Sequence, residues 1–213
     1  MSKTIPLLYG SYYHIYNRGI NGTNIFVAER NYPYFLNLYA KYILPIADTY
    51  AYNLLRNHFH FGVRIKTLDE QEEWYYQQFS KRPYASPPPW VPKKPSQQFG
   101  NLFNAYTKAF NKMYYRTGAL FERPFSRIKV TSILYLKRLI IYINQNAQLH
   151  GFVDDFRDWL HSSYHSYLSE KPTRLEREQT LAWFNGRLDF QSLHNDMLLP
   201  SAIPTLVEVD FSS

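Results

Sequence analysis

Two histidines separated by one residue have the spacing in this chain that best suits a metal-binding or catalytic role. His58 and His60 begin a stretch, ending at Ile65, in which apolar residues occupy every second position. This period of two predicts a strand with one buried face, so both imidazoles point the same way. Positions two apart on a strand lie roughly 6.5–7 Å apart. Two neutral imidazoles at that spacing can bind one divalent ion, although histidines with no ligand role are the alternative.

A second group of polar residues lies on a predicted buried helix. The segment Ile133–Leu149 is strongly apolar, and Ser132 can cap its start. Tyr142 and Asn146 are four positions apart and therefore neighbours on one helix face, with Arg138 one turn earlier. A hydroxyl and an amide in this position could join the histidines in one site. The alternative is a hydrogen-bonded tyrosine beside an asparagine near the helix end.

The elements that must position these residues follow from periodicity and turn signals. We predict a strand over 11–17, a helix over 29–44, two strands between 45 and 65 with a turn near Arg56-Asn57, and a helix over 69–79. Further along we predict an amphipathic helix capped by Ser96 and stopped by Gly118, an edge strand or a bulge within 119–130, and a helix over 175–184. The prolines of 67–95 exclude regular structure from much of that stretch. This proline-rich stretch could be an arm that carries Lys81, Arg82, Lys93 and Lys94 toward nucleic acid. The alternative is a tolerated surface insertion with no binding role.

Composition limits the chemistry and the partner. The 213 residues include no cysteine, which excludes disulfides and thiolate ligands, so any metal must bind N and O atoms. No segment predicts a membrane span or a secretory signal, so we expect a cytoplasmic, nucleoid-associated protein with no membrane partner. A net charge of +7 with 20 Tyr, 15 Phe and 4 Trp is typical of nucleic-acid binding, in which bases stack on exposed rings. The alternative is that most of these rings belong to the hydrophobic core. We predict a phosphate track of Lys108, Lys112, Arg116, Arg123, Arg127 and Lys129.

Several motifs, in consistent order over about residues 10 to 168, resemble those of one family. They are Tyr13-His14-Ile15-Tyr16-Asn17-Arg18-Gly19, Asn57-His58-Phe59-His60, Gly118-Ala119-Leu120-Phe121-Glu122-Arg123-Pro124-Phe125, Tyr142-Ile143-Asn144-Gln145-Asn146, and Trp159 with Ser162-Ser163-Tyr164. The set resembles the HUH single-tyrosine transposases, and most closely the REP-associated tyrosine transposases.

The resemblance implies a ferredoxin-like α+β fold and a Mg²⁺- or Mn²⁺-dependent enzyme that nicks and joins single-stranded or hairpin DNA. His58 and His60 would be metal ligands, Asn146 the third ligand, and Tyr142 the nucleophile. The chain differs from the family pattern at Arg56 and Ala147, where the family commonly has proline. The second difference falls beside Asn146 and leaves Gln145 as the alternative third ligand.

The same resemblance predicts the domain organisation. It predicts a transposase domain over 1–168, with the proline-rich insertion at about 67–95, and a helical extension and tail over 169–213. Relatives include monomers and homodimers, and the sequence favours neither. Two other functions stay open, a non-catalytic single-strand nucleic-acid-binding module and a metal-dependent phosphodiesterase in which water is the nucleophile.

Overall fold

A four-stranded antiparallel sheet separates two layers of helices in the computed structural model, which describes residues 5–80 and 86–196. The strands are β1 (Tyr12–Arg18), β2 (Ala47–Leu54), β3 (His58–Ile65) and β4 (Ser126–Val130), in the order β2-β3-β1-β4. The helices are α1 (Asn31–Tyr42), α2 (Leu68–Ser80), α3 (Pro95–Met113), α4 (Ile133–Leu149), α5 (Tyr164–Leu168), α6 (Arg177–Trp183) and α7 (Arg187–Asp196). The expected α+β class with an antiparallel sheet and packed helices is confirmed.

Strand β3 lies inside the sheet, as its alternating sequence predicts. One set of its side chains, Phe59, Phe61, Val63 and Ile65, is buried in a core with α1 and α3. The opposite set includes His58, His60 and Gly62, and α4 packs over this side against β2 and β3. The expectation of a single buried face is therefore wrong, because a helix layer covers each side of the strand.

Helix α4 is held to the sheet by hydrogen bonds as well as by apolar packing. The Asn53 side-chain amide on β2 donates to the backbone oxygen of Ile143 over 2.8 Å. At the start of the helix, the Ser132 hydroxyl accepts from the Tyr135 backbone nitrogen, which confirms the predicted cap. The Asn53 contact helps to fix which face of α4 meets the histidine side of the sheet.

Two predicted boundaries of α3 are wrong. The helix begins at Pro95 with Lys94 at the N-cap, because the fixed φ of proline suits a first helical position. The Ser96 hydroxyl instead accepts from the Arg127 guanidinium. The helix ends at Met113, well before Gly118, and Tyr115 takes the left-handed conformation that follows it.

The chain after α4 packs back on that helix. Helix α6 matches the predicted helix over 175–184, whereas α5 and α7 were not predicted. Phe184 and Phe190 enter one apolar cluster with residues of α4. Within the insertion, residues 86–94 form no helix or strand, and Lys81 and Arg82 lie outside the described residues. No helix in 5–80 or 86–196 is long and apolar enough to cross a membrane.

Candidate metal and tyrosine site

His58 is held between two asparagine side chains. Its Nδ1 lies 2.7 Å from Asn57 Oδ1, and its Nε2 lies 3.3 Å from Asn146 Oδ1. Both partner atoms are amide oxygens, which can only accept, and a neutral imidazole carries one proton. The contact with Asn57 is the shorter of the two, so we assign the proton to Nδ1 and the lone pair to Nε2. The lone pair therefore faces α4.

His60 is held by a third histidine. Its Nδ1 lies 2.9 Å from Nε2 of His14, which stands on β1. The rings of His58 and His60 are 5.1 Å apart between centroids and nearly perpendicular, at 88°. The ring of Tyr16 is nearly parallel to that of His60, at 24° and 5.8 Å. Both predicted ligands are thus buried and fixed by neighbours.

Helix α4 brings Tyr142 and Asn146 to the same side as the histidines. The Tyr142 ring lies edge-on to His60, with centroids 6.0 Å apart, and edge-on to His14 at 6.2 Å. The neighbouring Gln145 turns away, and its amide donates to the backbone oxygen of His194 on α7. Of the two amides considered as third ligand, Asn146 is the one that the structure places beside the histidines.

The geometry at His58 fits a bound cation. Its Nε2 lone pair and Asn146 Oδ1 are both acceptors, yet they face each other at 3.3 Å. Neighbouring ligands of an octahedral ion with bonds of 2.0–2.1 Å lie about 3 Å apart. The Asn146 amide nitrogen is buried and has no hydrogen-bond partner among the described residues. A cation shared by the two atoms would turn this repulsive contact into a favourable one.

The electrostatic surroundings keep both imidazoles neutral, as metal ligands must be. Burial, with a smaller effect from the nearby His150, lowers the pKa of His58 to about 3, although the Asn146 contact acts to raise it. Burial also lowers the pKa of His60 well below its ordinary value. Across the described part of the chain, no three His, Cys, Asp or Glu side chains form a group that could hold a metal. In a site built on these histidines, the Asn146 amide oxygen is placed to be the third protein ligand.

The six predicted DNA-contacting cations do not gather around the histidines. Lys108 and Lys112 are exposed on α3, on the other side of the sheet. Arg127 and Lys129 pair in register with Ile15 and Tyr13, which alternate with His14 along β1 and point to the opposite face. The strand register therefore directs both β4 cations away from the candidate site.

The remaining two cations lie in the connection between α3 and β4. Arg116 follows the end of α3, and its guanidinium donates to the Asn111 side chain and to the backbone oxygen of Ala119. Arg123 is exposed and donates to Asn104 over 3.4 Å. On the histidine side, an exposed Arg138 precedes Tyr142 by one turn of α4.

His14 and Asn57 lie within the sequence motifs, but the motifs predicted no role for either residue. The signal for Asn57 was its position next to His58. No local signal could pair His14 with His60, because that contact depends on β1 lying beside β3 in one particular register.

A solved structure shares this fold. It is the structure of the REP-associated tyrosine transposase bound to a REP hairpin, with a TM-score of 0.57 and 13% sequence identity, covering 81% of this chain and 89% of that one. No family model and no curated protein matches the chain. The likeness supports the expected α+β fold, an antiparallel sheet with packed helices, which this chain shares with that transposase.

Proposed function

We propose that this protein is a metal-dependent single-strand DNA endonuclease and strand transferase that acts through a covalent tyrosine intermediate on hairpin-containing DNA. The observation that carries the proposal is the convergence of Tyr142 and Asn146 from α4 on the histidine pair of β3. The fold shared with a transposase bound to a DNA hairpin supports the choice of substrate.

His58, His60 and Asn146 would hold the ion, which the resemblance identifies as Mg²⁺ or Mn²⁺. When bound, such an ion polarises the non-bridging oxygens of a phosphodiester and lowers the barrier to nucleophilic attack. Imidazole ligands favour Mn²⁺ over Mg²⁺ in affinity. The lone pair of His58 that would bind the ion is directed by the contact of Nδ1 with Asn57.

Tyr142 supplies the nucleophile in this mechanism. Its phenolic oxygen forms a bond to phosphorus and loses its proton, the bond from phosphorus to O3′ breaks, and the leaving O3′ takes up a proton. The products are a 5′-phosphotyrosine and a free 3′ hydroxyl. Because the new phosphotyrosine diester conserves the energy of the broken phosphodiester, the 3′ hydroxyl of another strand can displace Tyr142, and strand joining needs no ATP.

The test is capture of the covalent intermediate. A single-stranded hairpin oligonucleotide labelled at its 3′ end is incubated with protein and Mn²⁺, and products are separated on a denaturing gel. We expect a labelled protein band with wild type and none with Tyr142→Phe. Tyr135→Phe, which removes another hydroxyl from α4, is the matched control and should keep the band.

Each outcome assigns a function. Loss of the band in Tyr142→Phe, with DNA binding retained, supports the mechanism. Cleavage without any adduct would instead identify water as the nucleophile. Tight DNA binding with neither cleavage nor adduct at any Mn²⁺ concentration would identify a non-catalytic binding module.

A further inference from the structure

A buried contact between two histidines from different strands lies directly behind the candidate metal site. His14 Nε2 and His60 Nδ1 are 2.9 Å apart, and the rings are nearly parallel, at 25° with centroids 5.1 Å apart. Both side chains are fully buried. One of the two nitrogens must donate and the other accept, so the contact couples the proton positions of the two rings.

We propose that His14 is a positioning residue that holds His60 in the tautomer able to bind metal through Nε2. The proposal rests on the proposed function, because it concerns the same ion. When His60 Nδ1–H donates to His14 Nε2, the lone pair of His60 lies on Nε2 and can serve as a ligand. When His14 Nε2–H donates instead, His60 carries its proton on Nε2 and cannot bind the ion.

The arrangement at His58 supports this assignment. There an acceptor that cannot reverse, Asn57 Oδ1, takes the proton of Nδ1 and leaves Nε2 for the ion. Histidine ligands generally donate their second ring nitrogen to such an outer partner, and loss of that partner weakens metal binding about 10- to 100-fold. His14 stands at the corresponding position behind His60, with Nε2 as the acceptor.

Packing limits the orientation of the His14–His60 pair. The Tyr16 ring lies 4.8 Å from the His14 ring and 5.8 Å from the His60 ring, inclined to each by less than 35°. The Tyr142 ring packs against both imidazoles at nearly perpendicular angles, 82° and 81°. The two rings are therefore kept in the plane in which their nitrogens meet.

Metal affinity tests the proposal without using catalysis. Mn²⁺ binding is measured from the electron paramagnetic resonance signal of the free ion, in a Tyr142→Phe background that cannot form the adduct. His14→Leu removes the acceptor and should weaken Mn²⁺ binding about 10- to 100-fold. His14→Gln can place its amide oxygen near the position of Nε2 and should restore affinity to within a few-fold of the parent.

Two controls separate positioning from folding. Tyr39→Phe removes a buried hydrogen bond to Thr49 on the other side of the sheet and should leave Mn²⁺ affinity unchanged. His14→Asn has a shorter side chain, whose amide lies near the position of Nδ1 and does not reach His60. If His14→Leu fails to fold, equal affinities of the Gln and Asn variants would overturn the proposal.

The remaining outcomes are also decisive. A folded His14→Leu protein that binds Mn²⁺ within two-fold of the parent, while His58→Ala does not, would refute the role of His14 and leave the metal site standing. Failure of the parent protein to bind Mn²⁺ would refute both the metal site and the role of His14. If Mn²⁺ binds but the protein with Tyr142 intact forms no DNA adduct, only the strand-cleavage function is refuted.

A spectroscopic measurement reports the tautomer directly. Imidazole ¹⁵N chemical shifts distinguish protonated from unprotonated ring nitrogens, and Zn²⁺ is a diamagnetic probe. With Zn²⁺ bound to the parent protein, we expect the proton of His60 on Nδ1 and the Nε2 of His14 unprotonated, as the acceptor of that proton. A proton on Nε2 of His14 at saturation with Zn²⁺ would contradict the proposed role of His14.

Discussion

Asn146 presents its side-chain oxygen to the unprotonated Nε2 of His58, at a distance of 3.3 Å. Asn57 makes this contact unusual, because it accepts the only proton of the neutral imidazole at Nδ1. Two acceptors are brought together by elements from distant parts of the chain, α4 and β3. The relationship makes the role of Asn146 open to direct measurement.

Asn146→Ala should weaken Mn²⁺ binding by more than about tenfold, since it removes a ligand that a solvent molecule replaces only in part. Asn146→Asp should retain binding, because a carboxylate oxygen also suits Mn²⁺. Gln145→Ala is the neighbouring control and should leave affinity unchanged. Titration with Mn²⁺ gives all three values, and an unaffected Asn146→Ala protein would show that the third ligand lies elsewhere.

The predicted phosphate track can be tested through the salt dependence of DNA binding. If all six cations contact phosphates, the log of the association constant should fall with the log of salt concentration with a slope of about −4, or about −0.7 per phosphate on a single strand. Lys108→Ala combined with Lys112→Ala should make the slope shallower by about 1.4. An unchanged slope would show that DNA does not cross α3.

Arg138 is expected to act on the chemical step rather than on affinity, because it lies one turn from Tyr142 on the histidine side of the sheet. Its guanidinium could stabilise charge that develops on the phosphate during attack. Arg138→Ala should reduce the single-turnover cleavage rate at saturating DNA roughly tenfold or more. Lys112→Ala should leave that rate unchanged. If Arg138→Ala and Lys112→Ala changed the cleavage rate equally, Arg138 would have no special role in the chemical step.

Helix α7 should make the fold sensitive to acid. His194 is buried, and burial lowers its pKa to about 4, although its hydrogen bond to the Phe190 backbone oxygen raises it slightly. The unfolded chain binds this proton from about pH 6.5 downward. The contribution of neutral His194 to the free energy of unfolding is therefore complete above pH 6.5. It falls as the pH drops toward 4, by about 3 kcal/mol in all.

Urea unfolding at pH 7 and pH 5 measures this effect. His194→Gln, which cannot be protonated and can still accept from Asn144, should lose less stability between the two pH values than wild type does. His165→Gln replaces an exposed histidine and serves as the control. Parallel pH profiles for wild type and His194→Gln would assign the acid sensitivity to other buried groups.

Gly19 should tolerate no side chain. A Cβ there would lie 2.0 Å from the Thr23 backbone oxygen, so the chain must shift. Because the Gly19 nitrogen donates to the Asn57 backbone oxygen over 2.8 Å, the shift would reach the residue that orients His58. We expect Gly19→Ala to lose about 1–3 kcal/mol of stability and to bind Mn²⁺ more weakly.

Gly100→Ala is the matched control for this substitution. No atom lies within 4 Å of the added Cβ at this position in α3, and alanine favours the helix by roughly 0.5–1 kcal/mol. The two variants should therefore change the urea midpoint in opposite directions. A Gly19→Ala protein as stable as wild type would show that the turn adapts at little cost.

The sequence by itself determined the parts of the site that lie on single elements. Alternation from His58 to Ile65 predicted the strand and the shared direction of the two imidazoles, because the side chains of a strand alternate strictly between its faces. The spacing of Tyr142 and Asn146 predicted a common helix face for the same local reason. The ordered motifs then predicted the fold.

Only the tertiary structure decided the contacts between elements. The pairing of β1 with β3 placed His14 behind His60, and the register of β4 turned Arg127 and Lys129 to the opposite face. Strand order and register depend on packing between distant segments, and a shift of one residue exchanges the two faces. Local periodicity carries no information about that choice, and for this reason the partner of His60 could be found only in the folded chain.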